Sequence, residues 1–356
     1  MIVQKYLAAR VAAQTLIKLG SVYLRRRRPF VVNHLITVRC NLACPFCYVS
    51  GPEQRSYNRE HYPRSAELDT AEVRDFYRQL IALDFRLIVI VGGEPLLRPD
   101  LDDLLRPLQG RIFSSVFTNG MLLADRHELV RRASSLFVSL DAPDRQHDEL
   151  RAQPGCFDRA LAGVEAMRRH HPRVNVSLMM TVTDNNVHRV PEMLAFSRRL
   201  GLPVGFQPPS YDGQFALADR PETSSAGNVP RAALVADAFR AIRDATRTQR
   251  VAGSRAFFQH VIDNRASYPC YYPSYVLGPI YPNGDVIGCT QKRVIGSVRK
   301  SPVAALLRGA PFQANAAAGP GCQVGCRDWG IHDISAMHSW QLGPKDLHGY
   351  YRSFVM

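Results

Sequence analysis

Between residues 31 and 207, short apolar runs alternate with longer stretches of helical periodicity, and this repeat limits the fold more than any other feature of the chain. Strands are predicted at 31–38, 86–91, 112–118, 136–140, 174–181 and 204–207, with helices between them. Strands separated by helices call for parallel pairing, because a chain that returns to the same edge of a sheet needs a crossover long enough to hold a helix. Asp69 and Glu72 form a capping-box pattern at the start of one helix, and Pro191 stands near the start of another. In such architectures ligands bind beyond the carboxyl ends of the strands, so the loops after each strand are where chemistry is expected. With 356 residues, 46% of them hydrophobic, the chain can bury a large core, which excludes a collagen, a coiled coil or a mostly disordered polypeptide.

The eight cysteines are not placed as a disulfide framework: Cys40, Cys44 and Cys47 crowd together, Cys270, Cys289, Cys322 and Cys326 lie late, and Cys156 stands alone. Lys5, Arg10 and Lys18 interrupt the apolar start, so no secretory signal is expected and a cytoplasmic, reducing setting is predicted. No run reaches the about 18–20 uncharged apolar residues that a membrane span needs. Residues 1–24 read as a helix that leads into Arg25–Arg28, a pattern that fits either peripheral contact of residues 1–28 with an anionic inner membrane face or a helix packed on the body with a solvated basic end. The 45 Lys and Arg against 31 Asp and Glu give a net charge of +14, which favours anionic partners without naming one.

Directly after the first strand, Cys40, Cys44 and Cys47 stand in the spacing C-x-x-x-C-x-x-C, which lets one loop wrap three thiolates around one metal centre. A cubane held by three cysteines keeps one iron free for a small molecule. A closed zinc site is the competing reading, with His34 or His61 as fourth ligand. Gly92, Gly93, Glu94 and Pro95 follow the second strand, Thr118, Asn119 and Gly120 the third, and Ser139, Leu140 and Asp141 end the fourth; His147, Asp148, Arg151, Gly155 and Phe157 come next. In this order, over about residues 31–208, the set resembles the radical S-adenosylmethionine (SAM) enzymes, whose cluster loop has the same three cysteines with an aromatic residue, here Phe46, before the last.

The resemblance implies an α/β fold, a partial (β/α)6 TIM-type barrel, with a 4Fe-4S cluster on Cys40, Cys44 and Cys47 and SAM bound to its unique iron. It implies SAM contacts from Phe46, Gly92, Gly93, Glu94, Pro95, Asn119, Ser139, Asp141 and Arg151, with the glycines and Glu94 near the methionyl amine and Arg151 on its carboxylate. Late in the chain, Asn283-Gly284 marks a hairpin between strands at 276–281 and 286–289. With Cys270, Cys289, Cys322 and Cys326 this segment resembles the SPASM or truncated twitch appendage of the same superfamily, a small cysteine-rich cluster domain outside the barrel, and implies a second, auxiliary 4Fe-4S cluster; four thiolates suit a structural zinc equally well. The expected organisation is an N-terminal extension at 1–30, the barrel at 31–210, a loop and helical connection at 211–268, the cluster domain at 269–330 and a tail at 331–356. Cys156 is expected to be a buried structural thiol.

The implied reaction is reductive cleavage of SAM to a 5'-deoxyadenosyl radical that takes hydrogen from an unactivated carbon, with flavodoxin or ferredoxin as electron donor. Enzymes with this extension often modify genetically encoded peptides, so maturation of a ribosomal peptide is the first substrate expectation. The first motif begins at Cys40, so a peptide substrate calls for a separate recognition protein or direct capture. Modification of a membrane lipid, an isoprenoid or a small natural product is the alternative. A zinc protein that binds nucleic acid is the reading outside enzymes, although no nucleic-acid partner is expected. Asp212, His260, Asp263, Tyr268, His332 and Asp333 are polar candidates for the substrate side, none singled out as a general base.

Overall fold

The computed structural model describes residues 2–209, 232–264, 268–289, 293–322, 326 and 328–342. The loop expected at 211–228, with Asp212, and residues 343–356 of the tail expected at 331–356 lie outside the described residues, whereas residues 331–338 of that tail belong to the helix Trp329–His338. The six expected strands are present as β1 (Val31–Leu35), β2 (Leu87–Val91), β3 (Phe113–Thr118), β4 (Ser135–Ser139), β5 (Asn175–Thr181) and β6 (Val204–Gln207). They pair in parallel in chain order, and a short strand, β7 (Val251–Ala252), extends the sheet beyond β6. The first strand stops at Leu35, earlier than periodicity suggests, because residues 37–39 leave the ladder to meet the loop after β2.

The hairpin segment is joined to the barrel sheet rather than set apart from it. Strand β8 (Val276–Ile280) lies parallel to β1, with Val31 opposite Val276, and β9 (Asp285–Gly288) and β10 (Arg293–Ser297) follow antiparallel. The sheet therefore runs β10-β9-β8-β1-β2-β3-β4-β5-β6-β7 and does not close.

Alternation along β2 positions the site. Ile88 and Ile90 are fully buried, whereas Leu87, Val89 and Val91 are half-buried on the opposite face, where Val91 lines a cavity. Helices cover the outer face. The helix Thr70–Ala82 starts at the predicted box, with Asp69 accepting from the Glu72 amide at 2.8 Å and Glu72 accepting from the Asp69 amide at 2.8 Å. It buries Val73, Phe76, Tyr77 and Leu80, one stripe at helical spacing, and each such side chain contributes about 1.5–3 kcal/mol.

The N-terminal helix, Ile2–Tyr23, is packed on the body along one side. Val11, Leu19 and Val22 are buried, the Thr15 hydroxyl meets the Arg86 carbonyl at 3.3 Å, and Tyr23 donates to the Leu342 carbonyl at 3.0 Å. Its other side exposes Ile17 and, just past its end, Leu24, followed by exposed Arg25–Arg28. Among the described residues no helix is long and apolar enough to cross a membrane.

Candidate active site

The loop carrying Cys40, Cys44 and Cys47 leaves the carboxyl end of β1 and enters the helix Pro52–His61. Arg55, on that helix, reaches back to the carbonyls of Cys40 (3.3 Å) and Leu42 (2.9 Å) and closes the loop on itself. Backbone amides point at the sulfurs: Leu42 toward Cys40 Sγ at 3.4 Å, and Val49 and Ser50 toward Cys47 Sγ at 3.4 and 3.3 Å. Such donors favour the thiolate and are a means by which proteins stabilise sulfur ligands to metal. Burial pushes the Cys44 thiol up to about 12, against the pull of the neighbouring Arg151 charge. A bound metal would replace that proton and supply the missing positive charge.

Gly92 and Gly93 do a different task from close approach to a ligand alone. A Cβ on Gly92 would stand 2.4 Å from the Thr37 carbonyl oxygen, and one on Gly93 would stand 2.1 Å from that of Arg39. The bare backbone lets the Gly93 and Glu94 amides donate to Thr37 and Arg39, both at 2.8 Å, and so fixes the stem of the cysteine loop. The Glu94 carboxylate turns inward. Fully buried, it accepts from Leu96 N (3.0 Å), Thr118 Oγ1 (2.8 Å) and Asn119 N (2.8 Å), tying the loop after β2 to the end of β3. Burial raises its pKa and these three donors oppose the rise. The Asn119 amide group in turn donates to Asn41 Oδ1 at 2.9 Å, beside Cys40 Sγ at 3.7 Å.

The stretch from His147 to Phe157 is organised by charge. Asp141, fully buried at the end of β4, accepts from Arg151 Nε at 2.6 Å and from the Thr181 amide at 2.8 Å, and its own amide donates to His147 Nδ1 at 3.0 Å. Asp148 accepts from the amides of Gly155 (2.6 Å) and Phe157 (2.8 Å) and so caps the helix Cys156–His170. Burial works against the charge of Arg151, but Asp141 and Cys44 outweigh it and hold the guanidinium protonated. Its Nη1 lies 4.0 Å from Cys44 Sγ, and its guanidinium sits 5.3 Å over the Phe46 ring.

These elements enclose a cavity of about 200 Å³ lined by all three cysteines of the loop. Phe46, Gly92, Gly93, Asn119, Ser139 and Arg151 also line it, so six of the expected SAM contacts face one space. Glu94, Pro95 and Asp141 do not line it; the structure places them behind the wall, where Glu94 and Asp141 hold the residues that do. Thr181 and Gln207, at the ends of β5 and β6, line the cavity and were not foreseen, because one polar residue at a strand end carries no signal of its own. Arg55 was equally hidden in a polar helix.

The late cysteines lie on four segments: Cys270 before the short helix Tyr272–Tyr275, Cys289 after β9, Cys322 after the turn Gly319–Gly321, and Cys326 before the helix Trp329–His338. Burial raises the Cys326 thiol, and the charges of Cys270 and Cys322 raise it further; those of Cys289 and Cys270 both act on Tyr272. Tyr268 donates to the Cys326 carbonyl at 3.1 Å. Gln207 hydrogen-bonds Asp328, the residue that caps the helix after Cys326, and so connects the cavity wall to this second group. His260, Tyr268 and His332 form one ring cluster with centroids 5.0–5.1 Å apart, and Asp333 accepts from the Ser254 amide and hydroxyl. Cys156 is buried against Leu42 and Cys44 beneath the loop.

A closed zinc site on the loop would need a fourth protein ligand. Both candidate histidine ligands are engaged elsewhere: His34 is buried on Tyr77 Oη at 3.0 Å, and His61 stacks on Tyr57.

The sequence profile described as the Radical SAM superfamily matches residues 35–197. The AdoMet-dependent heme synthase of Methanosarcina barkeri is 29% identical over 178 residues, which cover 49% of this chain and 48% of that protein. The PqqA peptide cyclase of Gluconobacter oxydans is 31% identical over 171 residues, 47% of this chain and 45% of that protein. The chain thus matches about half the length of these curated relatives. In fold it is similar to anSMEcpe, solved with bound AdoMet and the Cp18Cys peptide, at a TM-score of 0.58 and 14% identity, covering 91% of this chain and 99% of that one. That likeness extends beyond the matched segment into the part that holds the late cysteines. With its open, largely parallel sheet, its cysteine loop at the end of β1 and the glycine pair packed beneath that loop, the segment 35–197 is a domain of the radical SAM superfamily, whose members use a 4Fe-4S cluster and SAM.

Proposed function

We propose that this protein binds a 4Fe-4S cluster on Cys40, Cys44 and Cys47, docks SAM in the adjoining cavity, and uses the pair to take a hydrogen atom from a carbon of a peptide. The observation that carries the reading is the convergence of three thiols, Phe46, Asn119, Ser139 and Arg151 on one cavity at the carboxyl ends of the parallel strands. When bound, the reduced cluster supplies one electron that splits SAM into methionine and a 5'-deoxyadenosyl radical. The chain's own residues position and shield. Arg151 commits Nε to Asp141 and offers its remaining donors to a carboxylate in the cavity. Phe46 presents an apolar surface, while Ser139, Asn119 and Thr181 offer polar groups on the opposite strands. Cys270, Cys289, Cys322 and Cys326 would hold an auxiliary cluster, which can accept an electron from a product radical or hold the segment in place.

Anaerobic reconstitution, followed by SAM and a strong reductant, is expected to yield 5'-deoxyadenosine and about eight irons per chain. Cys44→Ala is expected to abolish the product. If Cys44→Ala forms it at the parental rate, this site is not the place of cleavage. Peptide as substrate is supported by the named peptide cyclase and the peptide-bound neighbour. Retention of a precursor peptide with a hydrogen-transfer signature, deuterium passing from the peptide into 5'-deoxyadenosine, checks it.

A second reading, contact with an anionic lipid surface, is favoured by Ile17, Leu24 and Trp340, which are 71%, 64% and 64% exposed, beside exposed Arg25–Arg28. Tyr23 and Trp340 meet edge-on at 5.8 Å, which places the exposed tryptophan next to the end of the helix. Substituting Leu24 and Trp340 by Ser and the four arginines by Gln is expected to abolish cosedimentation with phosphatidylglycerol vesicles. Unchanged cosedimentation, or none in the parent, removes this reading.

A further inference from the structure

A second ligand set stands at the other end of the sheet. His127 and Glu128 open the 3-10 turn His127–Val130, which leads into β4, and His171 ends the helix Cys156–His170, which leads into β5. Both segments precede their strands, whereas the cysteine loop and cavity follow theirs, so the two sites occupy opposite ends of a parallel sheet. Three ligand atoms meet here. His127 Nδ1 lies 2.9 Å from His171 Nε2, and Glu128 Oε1 lies 3.6 Å from the first and 3.4 Å from the second. Donor atoms about 2.0–2.1 Å from a tetrahedral zinc stand about 3.3 Å apart, and these three edges bracket that value.

We propose that His127, Glu128 and His171 form a binding site for a divalent transition metal, zinc first, independent of the cysteine centres. The rings are half-buried and the carboxylate is exposed, so three protein ligands face one another with the fourth position toward solvent. Imidazole and carboxylate are zinc's ordinary nitrogen and oxygen ligands, and nothing soft in the set would select iron–sulfur chemistry. The surroundings orient the ligands. Arg131 Nη1 donates to Glu128 Oε2 at 3.2 Å and leaves Oε1 to the site, while Asp102 holds the rest of that guanidinium at 3.0 Å and offsets its charge. His170 stacks on His127 at 4.8 Å and 6°, fixing the ring plane without joining the ligand set. A metal there would clamp the end of the helix Cys156–His170 to the segment before β4. The opposite end of that helix carries Cys156 under the cysteine loop. The rival is an ordinary hydrogen bond between two neutral imidazoles, one ring donating to the other.

The test is made on the cluster-loaded protein, where iron occupies the thiols, after removal of loosely held metal by a chelator. Titration with zinc chloride is expected to show one equivalent bound tightly, with an X-ray absorption edge fitted by nitrogen and oxygen alone at about 2.0 Å. His127→Ala and His171→Ala are expected to weaken that equivalent at least about 100-fold, and Glu128→Gln at least about 10-fold, whereas His170→Ala retains it. The melting temperature of the parent rises with zinc and that of His171→Ala does not. Should a histidine variant fail to fold, the exposed Glu128→Gln carries the test. Zinc with sulfur at about 2.3 Å, or equal affinity in the parent and in Glu128→Gln, overturns the proposal, as does the absence of a tight equivalent.

Discussion

Gly93 shows how one missing atom organises the candidate centre. Alanine there forces a contact of 2.1 Å with a backbone oxygen, which cannot rotate away, so the stem of the cysteine loop must shift. Gly93→Ala is expected to cost about 1–3 kcal/mol and to lower iron content more than helicity, as iron analysis and circular dichroism would record. Asp141 is the other pivot. Its replacement by Asn removes the charge that balances buried Arg151 and is expected to cost about 3–5 kcal/mol in urea unfolding, well above an ordinary surface change. His147 adds a pH dependence. Burial lowers it to about 4 from an ordinary value near 6.5, opposed in part by Asp141. The folded form therefore keeps this ring neutral where the unfolded chain protonates it. The contribution is fully present above about 6.5 and is lost as pH falls toward 4. Thermal melts are expected to drop across that window, by an amount on the order of 2–3 kcal/mol, and His147→Gln should flatten the slope. These roles were only partly legible in the sequence. The order of Gly-Gly-Glu-Pro and of His147 to Phe157 marked the positions, but nothing in a linear pattern says that Glu94 and Asp141 turn inward, since that depends on which amides the fold brings to them.

At the scale of elements, local rules worked where the interaction is local. Asp69 with Glu72 forecast a helix start that the structure has, and the stripe Val73, Phe76, Tyr77 and Leu80 faces the sheet. Asp69→Ala is expected to cost about 1 kcal/mol and Leu80→Ala about 2–5 kcal/mol, measured by chemical denaturation of the cluster-loaded protein. Strand β8 was legible as a strand, yet its partner was not. A hairpin signal between 281 and 286 fixes β8 with β9, whereas the parallel ladder to β1 joins residues far apart in sequence and leaves no periodic trace. The short strand β7 was missed for a related reason, since two residues are too few to show alternation. The N-terminal helix illustrates a divided face: Val11, Leu19 and Val22 serve the core on one side, and Ile17 remains outside, with exposed Leu24 just past the helix end.

Across the whole molecule, one sheet links every centre. Strand β1 delivers the cysteine loop, its neighbour β8 carries the segment between Cys270 and Cys289, and β6 supplies Gln207, which reaches from the cavity wall to the cap beside Cys326. The net charge of +14 favours anionic partners without naming one. The proposed chemistry requires SAM to meet a cluster held by Cys40, Cys44 and Cys47. Electron paramagnetic resonance of the reduced, cluster-loaded protein with and without saturating SAM addresses it most directly. SAM is expected to shift the signal of one cluster and Cys44→Ala to remove the shift; identical spectra with and without SAM would contradict SAM binding at this centre.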